Sequence, residues 1–447
     1  MSDPANVFFR VVKRIRESIA LYPVLIPAVY FVIATLVFAF ESTSIAASLH
    51  DELPPGLIDA DNSREILGTL ITGIISLTVF SFSMVMVVLN GAAARLSPRV
   101  LPGLISDTRN QVILGVYLGS IVYYLLMIGA LNKNDPASVP ALGLLLALLF
   151  GMLCMALFVV FIRSVSQSIQ VDWILSQLYN DASANLDKRR RRIAGVIGIP
   201  DTTDWWCLSA ARPGYLREVN ERRLGKLLRK REMVAVIQVE PGFFLIEGYP
   251  LIKFSESLSD EEANEALDCF DFHDNEFAGA NVSYGMRQIS EIAVKAISPA
   301  INDPGTAMRA VNLIGVLLKR LGGVLPFDVG CVDEGRPRLF YPQLKMLQIL
   351  QTAIAPIRIY GGHDPQVLIT LLQCIKNALH GNPSDEQLEA LHDEIWALRT
   401  DADVKVGNPR DRRAVNEAIE RLAELRTGSP AVTPLPLHRK HPTSPST

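Results

Sequence analysis

Charge is missing where the hydrophobic residues concentrate. Four runs, Ser18 to Phe40, Ile66 to Ala94, Asn110 to Asn132 and Pro136 to Ile162, contain no Asp, Glu, Lys or Arg. A proton-coupled transporter usually needs an ionisable group inside the membrane, so this absence argues against one. The sequence also has no G-x-x-x-x-G-K-[ST] loop, no H-E-x-x-H pair and no G-x-S-x-G elbow, leaving nucleotide hydrolysis, zinc proteolysis and serine-hydrolase chemistry without support. Its five cysteines (Cys154, Cys207, Cys269, Cys331, Cys374) form no C-x-x-C pair and read as buried thiols in a reducing compartment. A formal net charge of -3 gives no reason to expect nucleic-acid binding.

What is present is length and apolar content. The chain has 447 residues, 49% of them hydrophobic, and each charge-free run exceeds the ~20 residues that an apolar helix needs to cross ~30 Å of hydrocarbon. Four such runs in succession predict four transmembrane helices. Basic residues set their orientation. Arg10, Lys13, Arg14 and Arg16 precede the first span; Arg95, Arg99 and Arg109 lie between the second and third; Arg163 and Lys188 to Arg192 follow the fourth. These segments are expected to face the cytoplasm, with both termini on the cytoplasmic side of a bacterial inner membrane. Val7, Phe8, Val11, Val12, Ile15 and Ile19 recur at helical spacing among the first basic residues, which predicts an amphipathic helix whose Arg10, Lys13, Arg14 and Arg16 face lipid head groups. The fourth span is expected to continue unbroken past Arg163, because Val165, Ile169, Trp173 and Ile174 keep helical spacing.

The second span differs from the others. Thr69, Ser76, Ser83 and Asn90 are seven residues apart, a step of ~700° that drifts only ~20°, so they share one face, with Thr72 beside the first two. One reading is that this polar stripe lines an aqueous path at the centre of a homo-oligomer, with Phe80, Phe82 and Met86 forming a constriction. The other is that small hydroxylated residues, with Gly68 and Gly73, let helices pack closely and bond to their own backbone. The first makes the protein channel-like. The second makes it a non-conducting scaffold or sensor that recruits a cytoplasmic protein partner. Neither requires catalysis, a cofactor or a metal.

After the spans the period changes. Tyr215 to Val219, Met233 to Val239, Phe243 to Ile246 and Leu251 to Phe254 read as strands around a basic helix, Glu221 to Arg231. Beyond them the chain reads as helical. Asp303 is placed to cap a helix that begins with Pro304 and ends near Gly322 and Gly323; Asp364 precedes Pro365 in the same way, and Ser384 with Gln387 forms a capping box. The expected fold is therefore an α-helical membrane protein with four transmembrane helices followed by a cytoplasmic α+β domain, a small β-rich unit plus a helical bundle. Its divisions are 1–20 (amphipathic helix), 21–165 (four spans), 166–213 (juxtamembrane helix and linker), 214–256 (β-rich unit), 257–427 (helical domain) and 428–447 (disordered tail).

The run Y-G-M-R-Q-I-S-E-I-A-V-K-A-I-S-P-A-I-N-D-P-G-T-A, Tyr284 to Ala307, resembles the signature of a bacterial family of predicted membrane proteins, domain of unknown function 2254. The R-L-S-P-R loop after the second span and P-G-F-F-L-I-E-G-Y-P-L at Pro241 to Leu251 are similar to that family too. The resemblance covers roughly Tyr22 to Arg426. This sequence departs at Ala300, where the family usually has glycine, and at Gly305, where larger residues are common. The signature residues are Arg287, Gln288, Ser298, Pro299, Asn302, Asp303, Pro304 and Thr306. The resemblance implies the membrane topology and the cytoplasmic domain, and supplies no catalytic residue.

Other clusters have ordinary explanations. Asn302 and Asp303 fit a helix start, and Asp268, Asp271, His273, Asp274 and Glu276 lack the glycine and spacing of a calcium loop and read as a solvated acidic turn. Lys188 to Arg192 fits either an anionic lipid surface or a solvated helix face. Trp205 and Trp206 are the tryptophans to check for membrane or partner contact.

Overall fold

The computed structural model describes residues 21–41, 60–95, 108–131, 140–168, 170–192, 198–273, 281–325, 327–333, 336–342, 345–423 and 432–437. The expected amphipathic helix with Arg10, Lys13, Arg14 and Arg16, the R-L-S-P-R loop, Asp274 and Glu276 lie outside the described residues. The chain forms two compact units, Met1–Ala94 with Val100–Gln170, and Arg95–Arg99 with Val171–Thr447.

The first unit consists of α1 (Leu21–Glu41), α2 (Ala60–Arg95), α3 (Thr108–Ala130) and α4 (Ala141–Ser168). All four are long and apolar enough to cross a membrane. The closest packing joins α1 to α3. A Cβ on Gly115 would stand 2.8 Å from the Tyr22 carbonyl oxygen, and one on Gly119 would stand 2.7 Å from the Tyr30 ring, so both positions need glycine. They form a G-x-x-x-G pair that lets one helix backbone settle against the next. The α3–α4 contact is polar as well as apolar. Tyr123 Oη donates to the Gly143 carbonyl at 3.0 Å, Tyr124 Oη to the Ala147 carbonyl at 3.0 Å, and Ser120 Oγ lies 3.3 Å from Cys154 Sγ.

The expected unbroken fourth helix is not found. α4 runs past Arg163 but ends at Ser168; Gln170 is non-helical, and α5 (Val171–Arg192) begins afresh. Helical spacing of apolar residues survives a break of one or two positions, so periodicity could not reveal it.

The second unit is mixed. β1 (Trp206–Ser209), β2 (Gly214–Val219), α6 (Glu221–Lys230), β3 (Ala235–Ile237), β4 (Phe244–Leu245), β5 (Pro250–Phe254), α7 (Asp260–Leu267) and β6 (Phe270–His273) precede α8 (Val282–Ala296) and α9 (Pro304–Leu321). Then come β7 (Phe327–Asp333), β8 (Arg336–Pro342), α10 (Met346–Ala353), α11 (Ala355–Gly361), α12 (Pro365–Leu379), α13 (Asp385–Lys405) and α14 (Pro409–Ala423). One sheet has the order β1-β5-β3-β8-β7 and the other β4-β2-β6. Every described strand pair is antiparallel except β3 with β8. Leu224, Leu228, Ile237, Ile252, Phe254 and Leu339 belong to the core between α6 and the strands.

Four expectations about this unit need correction. The β-rich part is not confined to 214–256, because β7 and β8 arise from a stretch read as helical and complete the larger sheet beside β3. Gly330 in β7 is there because a Cβ would meet the Tyr341 ring at 2.5 Å. The basic run is not wholly a solvated face, although Lys188, Arg190 and Arg191 are exposed. Arg189 is buried and donates through Nε and Nη2 to the Phe327 carbonyl, and also to that of Leu325; Arg190 donates to the Arg320 carbonyl; Arg192 makes a two-pronged pair with Glu221 at 3.1 and 3.2 Å. The tail is not wholly without a core, since Leu435 is buried and residues 432–437 lie on α13 and α14. Finally, Cys207 is exposed, whereas the other four thiols are buried.

Trp206 packs on Phe254 with ring centroids 6.1 Å apart, and Trp205 packs against the Val236, Phe327 and Phe340 cluster. Both are explained by packing within the unit.

Candidate functional site

α2 is the least embedded of the four apolar helices: 11% of its apolar window is buried, against 44% for α3. Its inward residues are Ser63, Leu67, Ile74 and Ser81. Leu67, Ile74 and Ser81 repeat every seven positions, as do Thr69, Ser76, Ser83 and Asn90. The two series are offset by two residues, and at about 100° each that places the polar stripe about 200° from the inward face. Thr69, Thr72, Ser76, Ser83 and Asn90 are all exposed. The stripe therefore takes no part in packing α2 onto its own unit. Gly68 and Gly73 also have open space where a Cβ would be. Where glycine does mediate contact with α2, it is on α4, as Gly151 receives the Leu70 side chain.

The hydroxyl groups are partly satisfied. Thr72 Oγ1 donates to the Gly68 carbonyl at 2.9 Å and Ser76 Oγ to the Thr72 carbonyl at 2.8 Å; Thr78, on the half-buried side, bonds the Ile74 carbonyl in the same way. The three expected constriction residues are exposed but do not share a face. Measured from Ser76 at about 100° per residue, Phe80 lies about 40° to one side of the stripe, and Met86 and Phe82 lie about 80° and 120° to the other. Phe80 is also engaged by α4, its ring meeting Phe158 edge-on at 5.7 Å.

In the second unit the signature residues build a helix corner. α8 is capped by Asn281, whose Oδ1 accepts from Ser283 N at 2.9 Å; Glu240 in turn receives Asn281 Nδ2 at 3.4 Å. Arg287 pairs with Glu291 one turn further on at 3.5 Å, and Gln288 is half-buried. At the far end Ser298 Oγ donates to the Lys295 carbonyl at 2.6 Å, and Pro299 follows the last turn. Asn302 adopts φ +50, the left-handed region that Asn tolerates better than most residues, and Asp303 N donates to the Ala296 carbonyl at 2.8 Å. Asp303 then caps α9, accepting Thr306 N at 3.1 Å and Thr306 Oγ1 at 2.6 Å, while Pro304 occupies the first turn. These bonds occupy the side chain that a ligand would otherwise need. Asp268 closes α7 and lies 3.9 Å from Arg223, and His273 Nε2 is 3.4 Å from Arg217.

A second charged cluster went unrecognised in the sequence. Glu221 receives the Arg192 fork and the Tyr341 hydroxyl, beside Asp328. Burial pushes the Glu221 carboxyl above its ordinary value despite the guanidinium, and burial likewise raises the Tyr341 phenol. No spacing rule could have joined residues so far apart in sequence. The only local signal was Glu221 at the start of a helix.

Residues 16–377 match the family described as predicted membrane protein (DUF2254). The chain belongs to this family. Its DUF2254 membership agrees with the resemblance carried by the Tyr284 to Ala307 signature, and with four apolar helices followed by a mixed α/β region. Similar chains include uncharacterised proteins of Mycobacterium bovis and of Mycobacterium tuberculosis H37Rv, each 24% identical over 382 residues, covering 81% of this chain and 73% of the relative. A protein of Mycobacterium tuberculosis Oshkosh is 23% identical over the same length and shares. No solved structure matches.

Proposed function

We propose that this DUF2254 protein is an oligomeric, channel-like protein of the bacterial inner membrane, with both termini and the α/β unit in the cytoplasm. In this reading α2 turns its stripe toward the axis of a closed ring, and Met86, about 80° from the stripe, flanks the path. The carrying observation is that Thr69, Thr72, Ser76, Ser83 and Asn90 face away from the rest of their own unit. One four-helix subunit has little room for a hydrated path, so cyclic symmetry supplies it. Orientation rests on the Lys and Arg placement. The function needs no catalytic step, cofactor or metal.

A second reading, a non-conducting scaffold or sensor that recruits a cytoplasmic protein, draws on a different observation. Thr72 and Ser76 are already bonded to their own backbone, and Gly68 and Gly73 are open to close approach. Purified protein in lipid vesicles separates the two. The channel reading expects ion or small-solute flux above empty vesicles, abolished in the Ser76→Leu/Ser83→Leu double variant. A protein that passes nothing under voltage or osmotic stress, but whose double variant loses self-association, supports the scaffold.

A further inference from the structure

We infer that the groove on α13 and α14 is a binding site for an extended Pro-Leu-Pro peptide, and that residues 432–437 of the chain are its resident ligand. The segment reads V-T-P-L-P-L and is held chiefly through its main chain. Arg399 Nε donates to the Thr433 carbonyl at 2.9 Å. Asn416 grips Leu435 from both sides, donating through Nδ2 to its carbonyl at 2.9 Å and accepting its N–H on Oδ1 at 2.7 Å. Arg412 Nε donates to the Pro436 carbonyl at 2.6 Å. Arg412 has no exposed side-chain surface. Its remaining nitrogens are fixed by the Val406 carbonyl at 2.7 Å, the Asp403 carbonyl at 3.1 Å and the Asp403 carboxylate. The guanidinium is thus oriented by α13 and the turn after it, ready for an incoming carbonyl.

The ligand's composition fits this site for a physical reason. Proline has no N–H, so between positions 434 and 436 the segment carries a single main-chain donor, that of Leu435, and Asn416 takes it. The Leu435 side chain supplies the apolar anchor and is 3% exposed. Two prolines also hold the segment extended before it binds, which lowers the ordering cost. A tether of eight residues, 424–431, keeps the ligand at an effective concentration in the millimolar range. A peptide in trans therefore competes only after the tether is cut.

The test uses the full-length protein in detergent, with a protease recognition sequence replacing residues 424–431. After cleavage, the 432–447 fragment is expected to stay with the protein through size exclusion and to be displaced by a hundredfold excess of synthetic peptide covering 430–439. Asn416→Asp keeps the acceptor, removes the donor and alters size little. It should weaken retention at least tenfold with helix content unchanged by circular dichroism, and a peptide with Leu435→Asp should not displace the fragment. Retention that resists peptide excess, immediate loss of the wild-type fragment, or equal retention by the folded Asn416→Asp variant would each overturn the assignment.

Discussion

Arg189, Arg358 and Arg412 carry guanidinium groups drawn away from water, and each donates to carbonyl or carboxylate oxygens of the fold. Substituting Arg189 by Met removes the partners of the Phe327 and Leu325 carbonyls and should cost about 1–3 kcal/mol, read as a lower urea midpoint. Arg358 pairs with Glu394 at 2.9 Å and Asp401 at 2.8 Å. Burial nevertheless raises the Glu394 carboxyl above its ordinary value of 4.5. A raised carboxyl binds its proton more tightly in the folded state, so its contribution is fully present below pH 4.5 and is lost as pH rises through the raised value. Glu394→Gln should flatten that part of the slope when urea midpoints are measured from pH 4 to 7. Thiol labelling offers an independent check: burial pushes Cys374 and Cys269 up to about 12, whereas Cys207 is exposed. A maleimide reagent at pH 7.5 should modify Cys207 in the native protein and reach the other two only in denaturant. Caps such as Asp303, Asp364 and Ser384 were legible in sequence because their partners lie within three residues. Arg189 was not, because its carbonyl partner Phe327 lies 138 positions along the chain.

At the scale of elements, the glycines of the first unit divide into two kinds. Gly115 and Gly119 are occupied contact points, and their spacing was visible in the sequence as G-V-Y-L-G. Gly68 and Gly73 are open. Gly119→Leu should therefore overpack the α1–α3 contact and lower the melting temperature of the purified protein, by the equivalent of about 1–3 kcal/mol or more. Gly73→Leu should leave melting of the isolated chain unchanged and reduce only self-association, measured by crosslinking in vesicles. β7 and β8 were illegible for a different reason. Their pairing with each other is local, but β8 belongs in the sheet only because β3, about a hundred residues earlier, lies alongside it, and strand preference depends on such partners. The break before α5 was likewise hidden, since apolar spacing in the sequence runs on across an interruption of one or two residues.

At the scale of the whole molecule, the four helices and the α/β part were legible because hydropathy and cap chemistry are local, whereas the groove under residues 432–437 depends on α13, α14 and the tail converging. The proposed ring carries a further prediction: mild-detergent extracts should contain a species several times the chain's 49.2 kDa, and a strictly monomeric protein would remove any central path. The bonding pattern of Thr72 and Ser76 also bears on how such a complex is made. A bare hydroxyl in hydrocarbon is costly, but one already bonded to its own helix is not. In the proposed complex, newly inserted copies would thus reside singly in the bilayer, diffuse and meet, so that assembly would follow synthesis instead of having to accompany it.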